Sequence, residues 1–280
     1  MTRRSSQTSF VRIGPTRVRV RTSGAGPPLL LLMGIGGNLD MWDPLLPHLP
    51  ARELVMFDFP GTGNSGLAWM PPSMAGNAWF VHRLISVLGY RRVDVLGYSW
   101  GGLLAQHLAF QHPRSVNRLV LAATTYGLGA RPPGPVVLSR MLTPRRYYSR
   151  PYFSRVAPSL YGGRYRDHPS LVNADVRRRV GRAPSTYGYF TQVAAVTGYS
   201  TLPGLPFIGA PTLIIAGDDD PLAPSVNAKV MARLIRRSEL HILKGAGHML
   251  LFDSPELTAP LIHRFLGRHN DDEGAVSRAD

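Results

Sequence analysis

A serine set among glycines is the first place in this chain where residue types and spacing could do chemistry. Gly97-Tyr98-Ser99-Trp100-Gly101-Gly102 follows the apolar run Val93–Leu96 and opens a helical pattern. A G-x-S-x-G between strand and helix makes a nucleophile elbow: a tight turn that holds the serine in a strained backbone conformation. The strain lifts the hydroxyl to the carboxyl end of a sheet, where open α/β sheets take their ligands. Gly102 adds room for close helix packing. An ordinary strand–helix turn is the plain alternative.

A serine hydroxyl is a weak nucleophile and needs a base, and the base needs a group to orient it. In a strand–elbow–helix architecture the chain order is Ser, acid, His. Of nine histidines, His248 is the best placed, in Gly245-Ala246-Gly247-His248 directly after the apolar run Leu240–Leu243. His241 and His263 fit structural positions in a strand and in the last helix, and His107 and His112 belong to the helix after the elbow. The acid is expected after the run Thr212–Ala216, in Gly217-Asp218-Asp219-Asp220-Pro221-Leu222. Asp220 is the choice, because it lies farthest from the strand and precedes a proline that fixes the chain after it. Asp218 is the runner-up, with a turn-capping role, shared with Asp219, as its alternative. Acyl transfer also needs N–H donors for an oxyanion. The Trp100 amide supplies one, and the Ile35 amide in Met33-Gly34-Ile35-Gly36-Gly37-Asn38 is assigned as the second. The third glycine of a dinucleotide-binding loop is missing there.

The elements that must position these groups are short apolar runs alternating with helical patterns. Val11, Ile13, Val18 and Val20 alternate with polar residues as in strands. Leu29–Met33, Leu54–Asp58, Val93–Gly97, Leu119–Ala123, Thr212–Ala216 and Leu240–Leu243 read as buried strands. Met41–Leu49, Met74–Leu88, Trp100–Gln111, Ser225–Leu234 and Pro255–Leu266 read as helices, the last with Ser254 as N-cap and proline at its first position. This βαβα order predicts an α/β fold, a mostly parallel doubly wound sheet. From about 130 to 205 the rhythm breaks, over a stretch too long for a loop. It holds eight of the 11 tyrosines and reads as an inserted, mostly helical cap. The expected organisation is a core of 1–129 and 206–268, a cap of 130–205 and a polar tail from 269 to 280. Tyr147, Tyr161, Tyr187 and Tyr189 are the candidates to line a substrate pocket, with a small core of the cap's own as the alternative.

Composition narrows the field further. There is no cysteine, which removes thiol nucleophiles, thiolate zinc sites and disulfides at once. Neither a metal nor any other cofactor is expected. The net charge of +15 comes from 30 arginines and two lysines against 17 acids, and Arg131 to Arg182 alone carries 12 arginines and two aspartates. No nucleic-acid motif accompanies that charge, so it reads either as codon bias or as attraction to an anionic interface. Arg177-Arg178-Arg179 reads as a solvated helix face. Arg3-Arg4 is followed by no apolar stretch of a secretory signal, and no run is long enough for a transmembrane segment. A cytoplasmic protein is expected.

Taken together, Val11 to Leu266 resembles the α/β-hydrolase superfamily, including the turn Asp58-Phe59-Pro60-Gly61-Thr62-Gly63-Asn64-Ser65, which reads as structural. A closer resemblance is to the intracellular medium-chain-length poly(3-hydroxyalkanoate) depolymerases. Gly34-Ile35-Gly36, Ser99-Trp100-Gly101-Gly102, Leu121-Ala122-Ala123-Thr124 and Ala216–Leu222 carry it in the core, and Thr143–Tyr147 and Ala157–Gly163 in the cap. The resemblance implies a serine hydrolase with Ser99, Asp220 and His248, acting on a hydrophobic polyester or its oligomers and associated with storage granules. Gly37, where that family's pattern has alanine, and the arginine-rich cap are departures. A small-molecule carboxylesterase, lipase or thioesterase would use the same machinery, and a hydrolase-like binding protein would show a broken triad, which is not seen here. Dehalogenases and epoxide hydrolases of this fold would need Asp at position 99, and polyester synthases Cys.

Overall fold

The computed structural model describes residues 6–49 and 51–268, so Arg3-Arg4 and the tail 269–280 lie outside the described residues. The chain opens with an antiparallel hairpin, β1 (Gln7–Ile13) and β2 (Thr16–Ser23), followed by β3 (Pro28–Leu32) and β4 (Glu53–Phe57). Helix α1 (Met74–Val87) leads to β5 (Val93–Tyr98), and α2 (Trp100–Gln111) to β6 (Val116–Ala122). The eight described strands form one sheet, in which β1 to β2 and β2 to β4 are antiparallel and every later pairing is parallel.

Between β6 and β7 the chain runs through six helices: α3 (Pro135–Met141), α4 (Arg145–Tyr148), α5 (Arg150–Tyr161), α6 (Arg164–Asp167), α7 (Pro169–Val180) and α8 (Thr186–Val196). It then returns to the sheet with β7 (Thr212–Gly217), α9 (Ser225–Leu234) and β8 (Ser238–Leu243), and closes with α10 (Leu250–Asp253) and α11 (Pro255–Leu266). The strand order is β1-β2-β4-β3-β5-β6-β7-β8.

Strand residues alternate between two cores because successive side chains leave opposite faces of a pleated sheet. Leu29, Leu31, Leu96, Val120 and Ile215 pack against α11 and the inserted helices. Leu30, Leu32, Val95, Leu121 and Ile214 pack against α1, α2 and α9. Both faces are covered, and so the central strands read as continuous apolar runs rather than alternating ones. The parallel register aligns their carboxyl ends: Leu32 stands beside Gly97, Tyr98 beside Ala122, and Gly217 beside Leu243. The loops after β3, β5, β7 and β8 therefore leave from one edge.

Three local expectations change. Met41–Leu49 is not an α-helix but two 3-10 turns, Leu39–Trp42 and Leu46–His48. Pro44 and Pro47 lack N–H groups and crowd the preceding turn, so a continuous helix cannot form. Strand β6 begins three residues before its apolar run, at Val116 opposite Val93, and the register then shifts across Asn117 and Arg118 before Leu119 pairs with Val95. Ser254 sits at the start of α11, but its hydroxyl donates to Asp253 Oδ1 at 2.9 Å instead of capping the helix.

Candidate active site

Ser99 is the N-cap of α2 and has φ +55° and ψ −119°, a region that non-glycine residues rarely occupy. Holding it there costs about 1–3 kcal/mol. Close packing on both sides enforces the turn. A Cβ at Gly101 would run into the Leu32 carbonyl oxygen, and one at Gly102 would lie 2.5 Å from Thr124. A serine at an N-cap normally accepts from its helix, which is worth about 1 kcal/mol. Ser99 makes no such bond; its Oγ lies 3.0 Å from His248 Nε2.

His248 Nδ1 lies 2.8 Å from Asp220 Oδ2, and a carboxylate can only accept, so Nδ1–H donates and Nε2 is left to accept from Ser99. The second Asp220 oxygen accepts the N–H groups of Leu222 and Ala223 at 2.8 and 2.9 Å, which fixes the carboxylate plane. The three adjacent aspartates have separate tasks. Asp218 accepts from Gly245 N–H at 2.6 Å, and Asp219 accepts from Gly163 N–H at 2.7 Å and from Arg166 at 2.9 Å. These bonds tie the acid loop to the histidine loop and to the end of the inserted α5.

That end of α5 also seats the histidine. Tyr161 C=O accepts the His248 backbone N–H at 2.7 Å, and the Tyr161 ring stacks on the imidazole at 6.1 Å between centroids. The approach is so close that a Cβ at Gly163 would strike Gly247 N. The core-side wall is Tyr98, whose ring is 5.3 Å from His248.

The loop Gly34–Gly37 closes the other side. Gly36 N–H donates to buried Gln192 Oε1 at 2.7 Å, Trp100 Nε1–H donates to Gln192 C=O at 3.1 Å, and Tyr147 O–H donates to Ile35 C=O at 2.6 Å. With Gly36 and the Ile35 carbonyl so engaged, the Ile35 and Trp100 N–H groups are left without an acceptor among the described residues. Gln192 joins this loop to the elbow. Sequence reasoning missed it, because a lone glutamine in an aromatic helix carries no signal.

Ser99, His248, Ile35, Tyr147 and Tyr161 line one small cavity, whose apolar wall includes Met33, Met41, Met141 and Leu222. Tyr189 stands behind it, fully buried. Tyr187 does not belong there: it is 54% exposed, because two residues along a helix turn its side chain away from the face Tyr189 buries. Tyr147 and Tyr161 line the cavity and also belong to the core cluster. Two arginines, Arg146 and Arg179, line the same cavity. Arg179 is 2% exposed and pairs with Asp175, so it is not part of a solvated face, although Arg177 is exposed. Asp58 orders its own turn by accepting from Leu39 and Asn64 N–H, and burial raises its carboxyl above the usual range. No group of three or more His, Asp or Glu among the described residues could hold a metal ion.

A family model of the alpha/beta hydrolase fold matches residues 27–255. The chain belongs to the α/β-hydrolase fold family. Within it, the chain is 40% identical over 240 residues to a poly(3-hydroxyalkanoate) depolymerase of Ectopseudomonas oleovorans, covering 85% of this chain and 84% of that one. It is 27% identical to a putative carbamate hydrolase, RutD, of Azorhizobium caulinodans, over 87% of this chain and 92% of that one. Among solved structures, this α/β-hydrolase resembles a hydrolase from Pseudomonas aeruginosa PA01 with a TM-score of 0.79 and 26% identity, over 93% and 98% of the two chains. An esterase from Exiguobacterium antarcticum shares the fold with a TM-score of 0.81 at 23% identity, over 94% and 100%.

Proposed function

We propose that this α/β-hydrolase is a serine esterase that cleaves aliphatic polyesters of 3-hydroxy acids, or their oligomers, through an acyl-enzyme. The observation that carries this reading is the unbroken hydrogen-bonded line Asp220–His248–Ser99 beneath two unengaged N–H groups. His248 Nε2 takes the Ser99 proton as Oγ attacks the ester carbonyl. The oxyanion accepts from the Ile35 and Trp100 N–H groups. As the tetrahedral species collapses, His248 gives its proton to the leaving alkoxide, and the acyl group stays on Ser99. Water then loses a proton to His248 and attacks the acyl ester, and His248 returns that proton to Ser99 Oγ as the acid leaves. Asp220 holds the imidazole in the required tautomer and stabilises its cation.

The polyester assignment rests on the relative's name together with the inserted helices over the site. Residues 130–205 act as a cap on a core of 1–129 and 206–268, and Tyr147 and Tyr161 supply pocket walls. The narrow, mostly apolar cavity beside Ser99 suits an aliphatic ester. The excess of arginine in the cap suits adsorption to an anionic, granule-like interface within the cytoplasm. No described helix is long and apolar enough to cross a membrane.

The test is a panel of purified substrates: soluble esters of increasing acyl length, 3-hydroxyacyl oligomers and dispersed polyester. Release of 3-hydroxy acids from oligomers and polyester, lost in Ser99→Ala, is expected. Turnover of short soluble esters alone would favour a small-molecule carboxylesterase.

A further inference from the structure

Arg146 is an anomaly in a hydrolase pocket. It is 1% exposed, it lines the cavity that holds Ser99 and His248, and no carboxylate among the described residues pairs with it. Its Nη1 donates to Thr143 C=O at 3.1 Å and to Tyr189 Oη at 2.9 Å. Its Nε is buried with no acceptor, and no acceptor among the described residues meets Nη2. The Tyr147 and Tyr189 rings lie 4.8 and 5.2 Å from the guanidinium carbon and stabilise the charge by cation–π attraction, which is weaker than ion pairing with hydrogen bonds. The nearby carboxylates are spoken for. Asp175 pairs with Arg179, and both oxygens of Asp220 are occupied by His248, Leu222 and Ala223. Burying a cation without an anionic partner is unfavourable, and a bound anion would relieve it. Nε is sealed off, which leaves Nη2 as the unengaged nitrogen through which the guanidinium can take a carboxylate in a charge-assisted hydrogen bond.

We infer that Arg146 binds a free carboxylate on the substrate, so that the protein cleaves the ester bond nearest the carboxyl end of a hydroxyacyl chain. This deepens the esterase reading and rests on it. In a chain of 3-hydroxy acids the one free carboxylate belongs to the terminal unit. It stands four bonds beyond the carbonyl carbon of the last ester, on the alcohol side. With that carbonyl at Ser99, the terminal carboxylate lies on the side of Arg146, which shares the cavity wall with Met33, Met141 and Leu222. Attack by Ser99 breaks the bond between the carbonyl carbon and the alcohol oxygen. His248 protonates that oxygen, and one 3-hydroxy acid leaves with its carboxylate while the shortened chain remains as the acyl-enzyme. A neutral polymer interior offers Arg146 nothing, so chain ends and soluble oligomers are the preferred form of substrate.

The experiment compares a dimer of a 3-hydroxy acid, as free acid and as methyl ester, alongside p-nitrophenyl octanoate. Wild type should prefer the free acid in kcat/KM by tenfold or more, expressed mainly in KM. Arg146→Gln should lower the acid-to-methyl-ester ratio about 10²-fold, equivalent to ~2.8 kcal/mol of lost binding. Arg146→Lys, which keeps the charge without the fork, should restore part of it. A wild-type ratio at or below one overturns the inference even if the variants fail to fold. An unchanged ratio in folded Arg146→Gln overturns it as well. Turnover of the p-nitrophenyl ester without any preference for the acid refutes the carboxylate site alone, whereas no turnover of any ester refutes the esterase reading beneath it.

Discussion

Replacing Asp220 with Asn changes one atom at the centre of the hydrogen-bonded line, and its effect can be worked from the three bonds that Asp220 accepts. The amide oxygen can keep the Leu222 and Ala223 N–H groups, so the loop and the fold should survive. The amide nitrogen then faces His248 Nδ1 at 2.8 Å and can only donate. That forces the imidazole proton onto Nε2, which faces Ser99 Oγ at 3.0 Å and can no longer accept from it. The wrong tautomer and the lost stabilisation of imidazolium together should lower kcat about 10⁴-fold, near 5.5 kcal/mol of barrier. Asp218→Asn and Asp219→Asn keep an oxygen for their backbone partners and should stay within about tenfold of wild type. The assay is steady-state hydrolysis of a medium-chain p-nitrophenyl ester, with thermal melts to show that all three variants are folded. Comparable damage in Asp218→Asn, or a loss under tenfold in Asp220→Asn, would refute the assignment of the acid.

Gly101→Ala should cost roughly 3 kcal/mol or more in urea unfolding, because the new methyl meets the backbone of β3 rather than a side chain that can turn away. His107 and His112 are both held below 6.5 by burial, and the neighbouring His82 adds repulsion at His112. The unfolded chain therefore binds more protons than the folded one once pH falls below 6.5, and stability should drop there; urea midpoints across that pH should show a shallower slope in His107→Gln/His112→Gln. Activity on dispersed polyester should fall as salt rises, with attraction screened beyond about 8 Å at physiological ionic strength, while turnover of a soluble ester hardly changes. Replacing the exposed Arg150, Arg155 and Arg177 with Gln should reproduce the high-salt behaviour on the particulate substrate only, and equal loss on both substrates would contradict adsorption.

The parts of the site that sequence makes visible are those built from local strings. The elbow is readable because strand, turn and helix are consecutive, and the glycines follow from packing that any such turn demands. His248 is readable because glycines precede it at a strand end, and the choice of Asp220 over its neighbours follows from its distance along the loop. The cavity's interior is less visible. Whether Arg146 or Arg177 is buried depends on which face of a short helix meets the sheet, and an arginine-rich stretch gives no periodic apolar signal to show it. The same ambiguity misplaces Tyr187 and Arg179. Burying these arginines takes a wall of aromatic rings contributed by α4, α5 and α8, a tertiary arrangement with no sequence spacing of its own. Met41–Leu49 shows the opposite error: Met41, Trp42, Leu45 and Leu49 are core, but two prolines decide the backbone.

The central claim is that Ser99 forms the covalent intermediate, and a serine-directed phosphonate ester tests it most directly. Mass spectrometry of the inhibited protein should find one adduct per chain, on the peptide containing Ser99, with activity lost in proportion to labelling. Ser99→Ala should take up no label and show kcat reduced roughly 10⁴–10⁶-fold while remaining folded. An adduct on another residue, or full ester turnover by Ser99→Ala, would contradict the account.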